Sequence, residues 1–278
     1  MIGYGTQNKE SVTGSVVSLD GGDLEEVQAA NFQQALQGRA PGVNISTTST
    51  RPGANNTAIR IRGVRSLSGG NDPLIVLNGI PFAGGLNDIS INDIESLDIL
   101  KDASATAIYG SRGANGVVLI TTKRGNSGTT QFNLGYRYGT GRVQSHLELL
   151  NTQQYLEVRR EAFTNDGISE YPANAYDVNG TWDQNRYTDW QEEIIGNTAQ
   201  YLDINGSISG GTERIQFRLG GNYHQETTVY PGDYAYNKLG IQTHTQYTDQ
   251  TDRFQAKLSS NFSYQTNNLP EMATLLTN

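Results

Sequence analysis

The side chains that most often carry chemistry are few in this sequence and far apart. There are 3 histidines, His146, His224 and His244, and their spacing matches no metal-ligand motif. There is no cysteine, which excludes a disulfide framework and a thiolate metal site. P-loop, GxSxG and HExxH patterns are all missing. Gly110-x-x-Gly113-x-x-Gly116 superficially matches a phosphate-binding loop, but it follows a predicted helix rather than a strand and lacks the GxGxxG register. The paired carboxylates Glu192-Glu193 sit in an acidic stretch and read as a solvated face. Asn-x-Ser/Thr sequons at Asn44, Asn55, Asn179, Asn205 and Asn261 read as composition. The sequence therefore predicts no catalytic residues, no metal and no cofactor. What remains is recognition chemistry. Arg60 and Arg62 share one polar face of a short strand, and Arg137, Arg218, His224, Lys238 and Lys257 punctuate the polar faces of later strands.

Net charge is -8, and it is unevenly placed. Residues 146–198 hold ten acidic and three basic residues, which accounts for nearly all of the excess. No basic stripe invites a phosphate backbone, so nucleic acid is not an expected partner. The acidic stretch reads as a solvated loop. The longest aliphatic runs, residues 74–77 and 117–120, are far short of the roughly 20 apolar residues of a membrane-spanning helix. Strands that cross a membrane alternate apolar and polar residues, so low average hydrophobicity does not exclude them.

Two stretches with different grammar must position these groups. Residues 1–125 read as a mixed α/β domain. Strands are predicted at 12–19, 43–46, 58–62, 74–77, 94–100 and 116–122, and helical spacing at 23–36 and 103–109. Asp102 is placed as the N-cap of the second helix and Gly110 as its C-cap. Residues 126–278 instead show strict alternation. Phe132, Leu134, Tyr136 and Tyr138 alternate with Gln131, Asn133, Gly135 and Arg137. The same pattern recurs at 202–209, 215–224, 238–247 and 254–264, giving five strands with one apolar and one polar face. Tight turns at 210–213 and 249–252 alternate with longer connections, and tyrosines lie near strand ends, as in an outer-membrane barrel. An antiparallel sandwich also alternates, and the alternation by itself leaves both open.

The ordered motifs of the first stretch carry a resemblance. They are Gly3-Tyr4-Gly5-Thr6-Gln7, Val12-Thr13-Gly14-Ser15-Val16, Ala35-Leu36-Gln37-Gly38-Arg39-Ala40-Pro41-Gly42-Val43 and Ile59-Arg60-Ile61-Arg62-Gly63. They continue with Pro73-Leu74-Ile75-Val76-Leu77-Asn78-Gly79-Ile80-Pro81, Asp93-Ile94-Glu95-Ser96-Leu97, Leu100-Lys101-Asp102-Ala103-Ser104-Ala105 and Ile120-Thr121-Thr122-Lys123. In this order and spacing they resemble the plug domain of SusC/RagA-type TonB-dependent outer-membrane transporters. Weaker similarities follow at Leu149-Leu150-Asn151-Thr152, Thr188-Asp189-Trp190 and Ser207-Ile208-Ser209-Gly210-Gly211.

The resemblance implies an α+β plug, a small mixed sheet with short helices, over residues 1–125. Residues 126–278 would supply the first, incomplete part of an antiparallel barrel, with an acidic insertion at 146–198. In the family the plug is lodged inside a roughly 22-stranded barrel. The implied function is import of oligosaccharides or peptides across the outer membrane of a Gram-negative, Bacteroidota-like bacterium. The implied partners are TonB with ExbB/ExbD, a SusD-like surface lipoprotein and outer-membrane lipid. Uptake of a metal chelate or vitamin, a soluble secreted β-rich glycan-binding module or enzyme, and a truncated remnant are the competing readings. The TonB box and signal peptide of the family have no counterpart before Met1, and five strands cannot close a barrel. A piece of a longer transporter is therefore expected. Substrate would meet plug loops at Arg65, Ser66, Asn71, Phe82 and Asn87, with Phe82 offering a ring for stacking. Arg60 and Arg62 would anchor the plug by pairing with carboxylates on the barrel wall.

Overall fold

A computed structural model describes residues 16–26, 35–47, 57–64, 66 and 70–270. The opening strand prediction thus lies outside the described residues as far as residue 15, as do residues 27–34 of the first predicted helix.

The aliphatic runs form the centre of a five-stranded mixed sheet. In chain order its strands are β1 (Val16–Asp20), β4 (Leu74–Leu77), β5 (Ile80–Pro81), β6 (Ile94–Leu100) and β7 (Val117–Thr122), and their spatial order is β1-β6-β7-β4-β5. Only β4 and β7 run parallel. They read as continuous apolar runs because both faces are covered. One face packs Leu24, Leu36, Ile59, Ile61, Ile94, Leu97, Ile99, Val118 and Ile120, and the other packs Val76, Leu100, Tyr109, Val117 and Leu119. A separate pair, β2 (Val43–Thr47) and β3 (Thr57–Ile61), brings Ile59 and Ile61 onto the first face. Leu24 arrives from helix α1 (Gly21–Glu26).

The predicted helix at 103–109 is shorter than its spacing suggests. Helix α2 (Ala103–Thr106) gives way to a 3-10 segment, Ala107–Gly113, broken at Gly110, whose φ of 58° favours glycine. Asp102 makes no capping hydrogen bond, because its carboxylate pairs instead with Arg62.

The alternating stretch forms a second five-stranded sheet, entirely antiparallel where its ladders are defined. Its strands are β8 (Gly128–Gly141), β9 (Ala199–Gly211), β10 (Ile215–Thr227), β11 (Ala235–Thr248) and β12 (Gln255–Asn267), in sequential order. Register sorts the side chains into rows. Ile204, Tyr223, Leu239 and Tyr264 lie abreast on one face, as do Gly206, Gly221, Ile241 and Phe262. The opposite face carries Asp203-His224-Lys238-Gln265 at one end and Ser209-Arg218-His244-Ser259 six residues along. The apolar face is left open: Phe132, Leu134, Leu258 and Phe262 are all more than half exposed. The tight connection after β11 is closed by Asp249, whose carboxylate accepts from the Arg253 and Phe254 amides at 3.0 and 3.1 Å. Among the described residues no helix is long and apolar enough to cross a membrane.

The chain divides into two compact units. The first comprises both sheets; the second comprises residues 140–200 and 228–234. The acidic stretch is not the solvated loop its charge suggests. It forms helix α3 (Thr152–Asn165) and helix α4 (Trp190–Ile195), and Leu156, Phe163, Ala175 and Val178 make a core of its own. Asn151 starts α3 with a reciprocal cap: its side chain accepts from the Gln154 amide and the Gln154 side chain accepts from the Asn151 amide, each at 3.0 Å. Asn151→Ala is expected to cost about 1 kcal/mol. Faster amide hydrogen exchange across residues 152–165, with the first unit unchanged, is the check.

Candidate functional site

Two charged contacts fix where the small mixed sheet meets the polar face of the strands. Both come from one segment, residues 86–94, which links the sheet's β5 and β6 through the 3-10 turns Leu86–Asp88 and Ile91–Asp93. Leu86, Ile89 and Ile94 are buried in the core on one side of this segment. That leaves Asp88 and Asp93 to face the strands.

At Asp93 the contact is an ion pair. The Arg218 guanidinium donates to Asp93 Oδ1 at 3.1 Å, with the two side chains 12% and 8% exposed. The backbone makes room for it. A Cβ on Gly220, the next residue of β10 on that face, would lie 2.9 Å from Asp93 Oδ1. Asp93 also holds the end of β7, since its carbonyl accepts from the Lys123 amide at 2.8 Å. Immediately beyond, Gly125 passes over β10 so closely that a Cβ there would stand 2.1 Å from the Phe217 carbonyl oxygen.

Burial pushes the Asp93 carboxyl above its ordinary value, and the hydrogen bond and charge of Arg218 pull it only part of the way back. The folded state thus holds this proton more tightly than the unfolded chain. The resulting stability is complete below about pH 3.9 and is lost as pH rises through the folded value. Relative to Asp93→Asn, the native protein is expected to lose melting temperature as pH climbs from about 4, which a series of melts in graded buffers would read.

At Asp88 the contact runs through amides and rings. Tyr236 donates its hydroxyl to Gln265 Oε1 at 3.0 Å, and Gln265 donates to Asp88 Oδ1 at 3.5 Å. Beside them His224 is buried, with Nδ1 3.4 Å from Asp203 and Nε2 3.8 Å from Glu226. The rings of Tyr201 and Tyr236 meet it edge-on at 5.0 and 5.9 Å. Lys238 is buried in the same row. This is a satisfied polar surface of carboxylates, imidazole, phenols and amides, suited to holding water, polar solutes or the segment that now rests on it.

The residues expected from sequence are placed differently from one another. Arg62 pairs with Asp102, a carboxylate of the same small domain rather than of the strands, so it braces β3 against α2. Arg60 is half-buried on β3. Ser66 and Asn71 bond to each other: the Ser66 amide donates to Asn71 Oδ1 at 3.0 Å, and Asn71 Nδ2 donates to the Ser66 carbonyl at 2.8 Å. Phe82 is half-buried and packs on the main core rather than standing out as a free ring, since burying that apolar surface is favourable. Arg65 lies outside the described residues, and so does the Asn87 side chain. No sequence motif pairs Asp93 with Arg218 or Asp88 with Gln265. Arg218 alone had a sequence signal, as a cation on a polar strand face.

A small mixed sheet braced against the polar face of long antiparallel strands, whose other face is apolar and open, is the arrangement of an outer-membrane receptor with its plug. The comparisons agree. The TonB-dependent Receptor Plug Domain family matches residues 8–117. TonB-dependent receptor P3 of Formosa agariphila is 37% identical over 230 residues, covering 82% of this chain and 21% of that protein. TonB-dependent receptor SusC of Bacteroides thetaiotaomicron is 34% identical over 240 residues, covering 82% and 22%. The structure of the RagAB peptide importer in the open-open state superimposes with a TM-score of 0.75 at 26% identity, covering 95% of this chain and 31% of that one. The chain belongs to the TonB-dependent receptors, in their SusC/RagA-type branch. It spans about a fifth of the length of the curated relatives it matches.

Proposed function

We propose that this chain is the plug, residues 1–125, and the first wall strands, residues 126–278, of a TonB-energised outer-membrane importer. The observation that carries the reading is the seating of segment 86–94 on the polar strand face through Asp93–Arg218. A wall that is polar toward the plug and apolar outward suits a lumen on one side and lipid on the other. The tight connections would face the periplasm, and the long ones, including the acidic unit, the exterior. The work is binding and passage rather than catalysis.

The cargo class is oligosaccharide or peptide, taken up with a SusD-like lipoprotein as lid and with TonB and ExbB/ExbD as energy source. The likeness to SusC and to a peptide importer supports this over a metal chelate or vitamin. Arg65, Ser66, Asn71, Phe82 and Asn87 are the plug positions assigned to cargo. Arg60 and Arg62 are assigned to keeping the plug in place, Arg62 by stiffening it through Asp102.

The test is growth of a strain deleted for the full-length receptor on single oligosaccharides and oligopeptides, with the gene restored in parallel. Loss of growth on one such class, recovered on restoration, is the expected result. Intact growth on every one, with impaired use of ferric chelates or a vitamin, would replace the cargo assignment.

A further inference from the structure

The polar face of the wall gathers cations at one end. Register sets Arg218, His244 and Ser259 side by side on β10, β11 and β12, and Lys257 follows on the same face of β12. The end of the plug sheet adds Lys123 and Arg124. These six residues border a cavity of about 480 Å³ whose remaining lining is amide, hydroxyl and apolar, with no aspartate or glutamate among the lining residues. Two of the four permanent cations are already matched, Lys123 by Glu25 and Arg218 by Asp93. Arg124 and Lys257 have no ion-pair partner among the described residues, and Arg124 Nε is buried without a hydrogen bond. Ser259 and His244 are joined at 2.8 Å between Oγ and Nδ1, which fixes a hydroxyl and an imidazole at the rim.

Cations that lack an ion-pair partner among the described residues, set beside a low-dielectric plug, draw anions into the space between them. A guanidinium offers a planar fork that fits a carboxylate or phosphate, and an ammonium adds a mobile point charge. We propose that this cavity is an oxyanion site, taking one carboxylate or phosphate group between Arg124 and Lys257. The site rests on the charge arrangement and not on the identity of the imported cargo. Its occupant is either a soluble oxyanion or a carboxylate from elsewhere in the receptor's polypeptide, and the same chemistry serves both.

Crystals of the full-length receptor soaked in sodium selenate separate these sources. One expected result is a selenium anomalous peak within about 4 Å of the Arg124 and Lys257 nitrogens. The other is an aspartate or glutamate side chain of the receptor in that position, excluding selenate. In solution, inorganic phosphate titrated at constant ionic strength should raise the melting temperature with a saturable midpoint in the first case and leave it unchanged in the second. Arg124→Gln with Lys257→Gln should weaken that midpoint at least tenfold, or, in the second case, release the receptor's carboxylate to a new position. Circular dichroism of the double variant checks that it is folded. An empty cavity, a selenate peak that persists in the double variant, or a phosphate midpoint unchanged by it would overturn the proposal.

Discussion

Arg218→Ala in the full-length receptor is expected to lower stability by about 3–5 kcal/mol, the usual cost of removing one partner of a buried ion pair. The magnitude follows from what is left behind. Asp93 is 8% exposed, and without the guanidinium its carboxylate has lost the hydrogen bond and charge that offset its burial. Asp93→Ala should cost a similar amount, because it strands Arg218. The double replacement Asp93→Leu with Arg218→Leu should cost much less than the sum, since paired apolar groups of similar volume replace such pairs at little cost. Thermal melts of the four proteins close the cycle. A strictly additive double variant would show that the two side chains do not hold plug and wall together.

Gly125→Val should be comparably damaging for a different reason. The Cβ would meet the Phe217 carbonyl oxygen at 2.1 Å and its amide nitrogen at 2.6 Å, and backbone cannot rotate away as a side chain can. Overpacking typically costs about 1–3 kcal/mol, and a clash with backbone belongs at the upper end of that range. It falls where the chain leaves the plug for the wall, so the expected outcome is a plug that no longer seats. Limited proteolysis in outer-membrane vesicles would show new cleavage around residues 120–126. Gly70→Ala is the control: among the described residues nothing lies within 4 Å of its Cβ position, and the pattern should match the native receptor.

Both predictions sit on contacts that the sequence does not announce. Alternation located all five wall strands, and the ladders extend each by a few residues, as at Ala199–Gly211 against the expected 202–209. Backbone pairing continues past the point where side chains stop alternating, so the ends are invisible to pattern. The central plug strands are legible because β4 and the first four residues of β7 are unbroken aliphatic runs. Net charge dominates the composition of the acidic unit and hides its core from pattern reading. Its fold depends on a handful of apolar residues, Leu156, Phe163, Ala175 and Val178, brought together across sequence gaps. Asp102 sits at the N-cap of α2, as its position predicts, but its carboxylate pairs with a guanidinium 40 residues earlier instead of with the helix amides. Asp93 and Arg218 are 125 residues apart, and neither has a local reason to pair. They meet because the missing side chain of Gly220, next to Arg218 on the same face of β10, leaves the space that the Asp93 carboxylate fills.

If this plug and wall belong to an importer driven from the inner membrane, as proposed, uptake of a labelled cargo through the full-length receptor depends on TonB, and that uptake can be measured in otherwise identical cells with and without functional TonB. The predicted result is uptake that falls to the level of the receptor deletion when TonB is inactivated, with the receptor still present in the outer membrane. Uptake that stays at the level of the native strain without TonB would contradict the account.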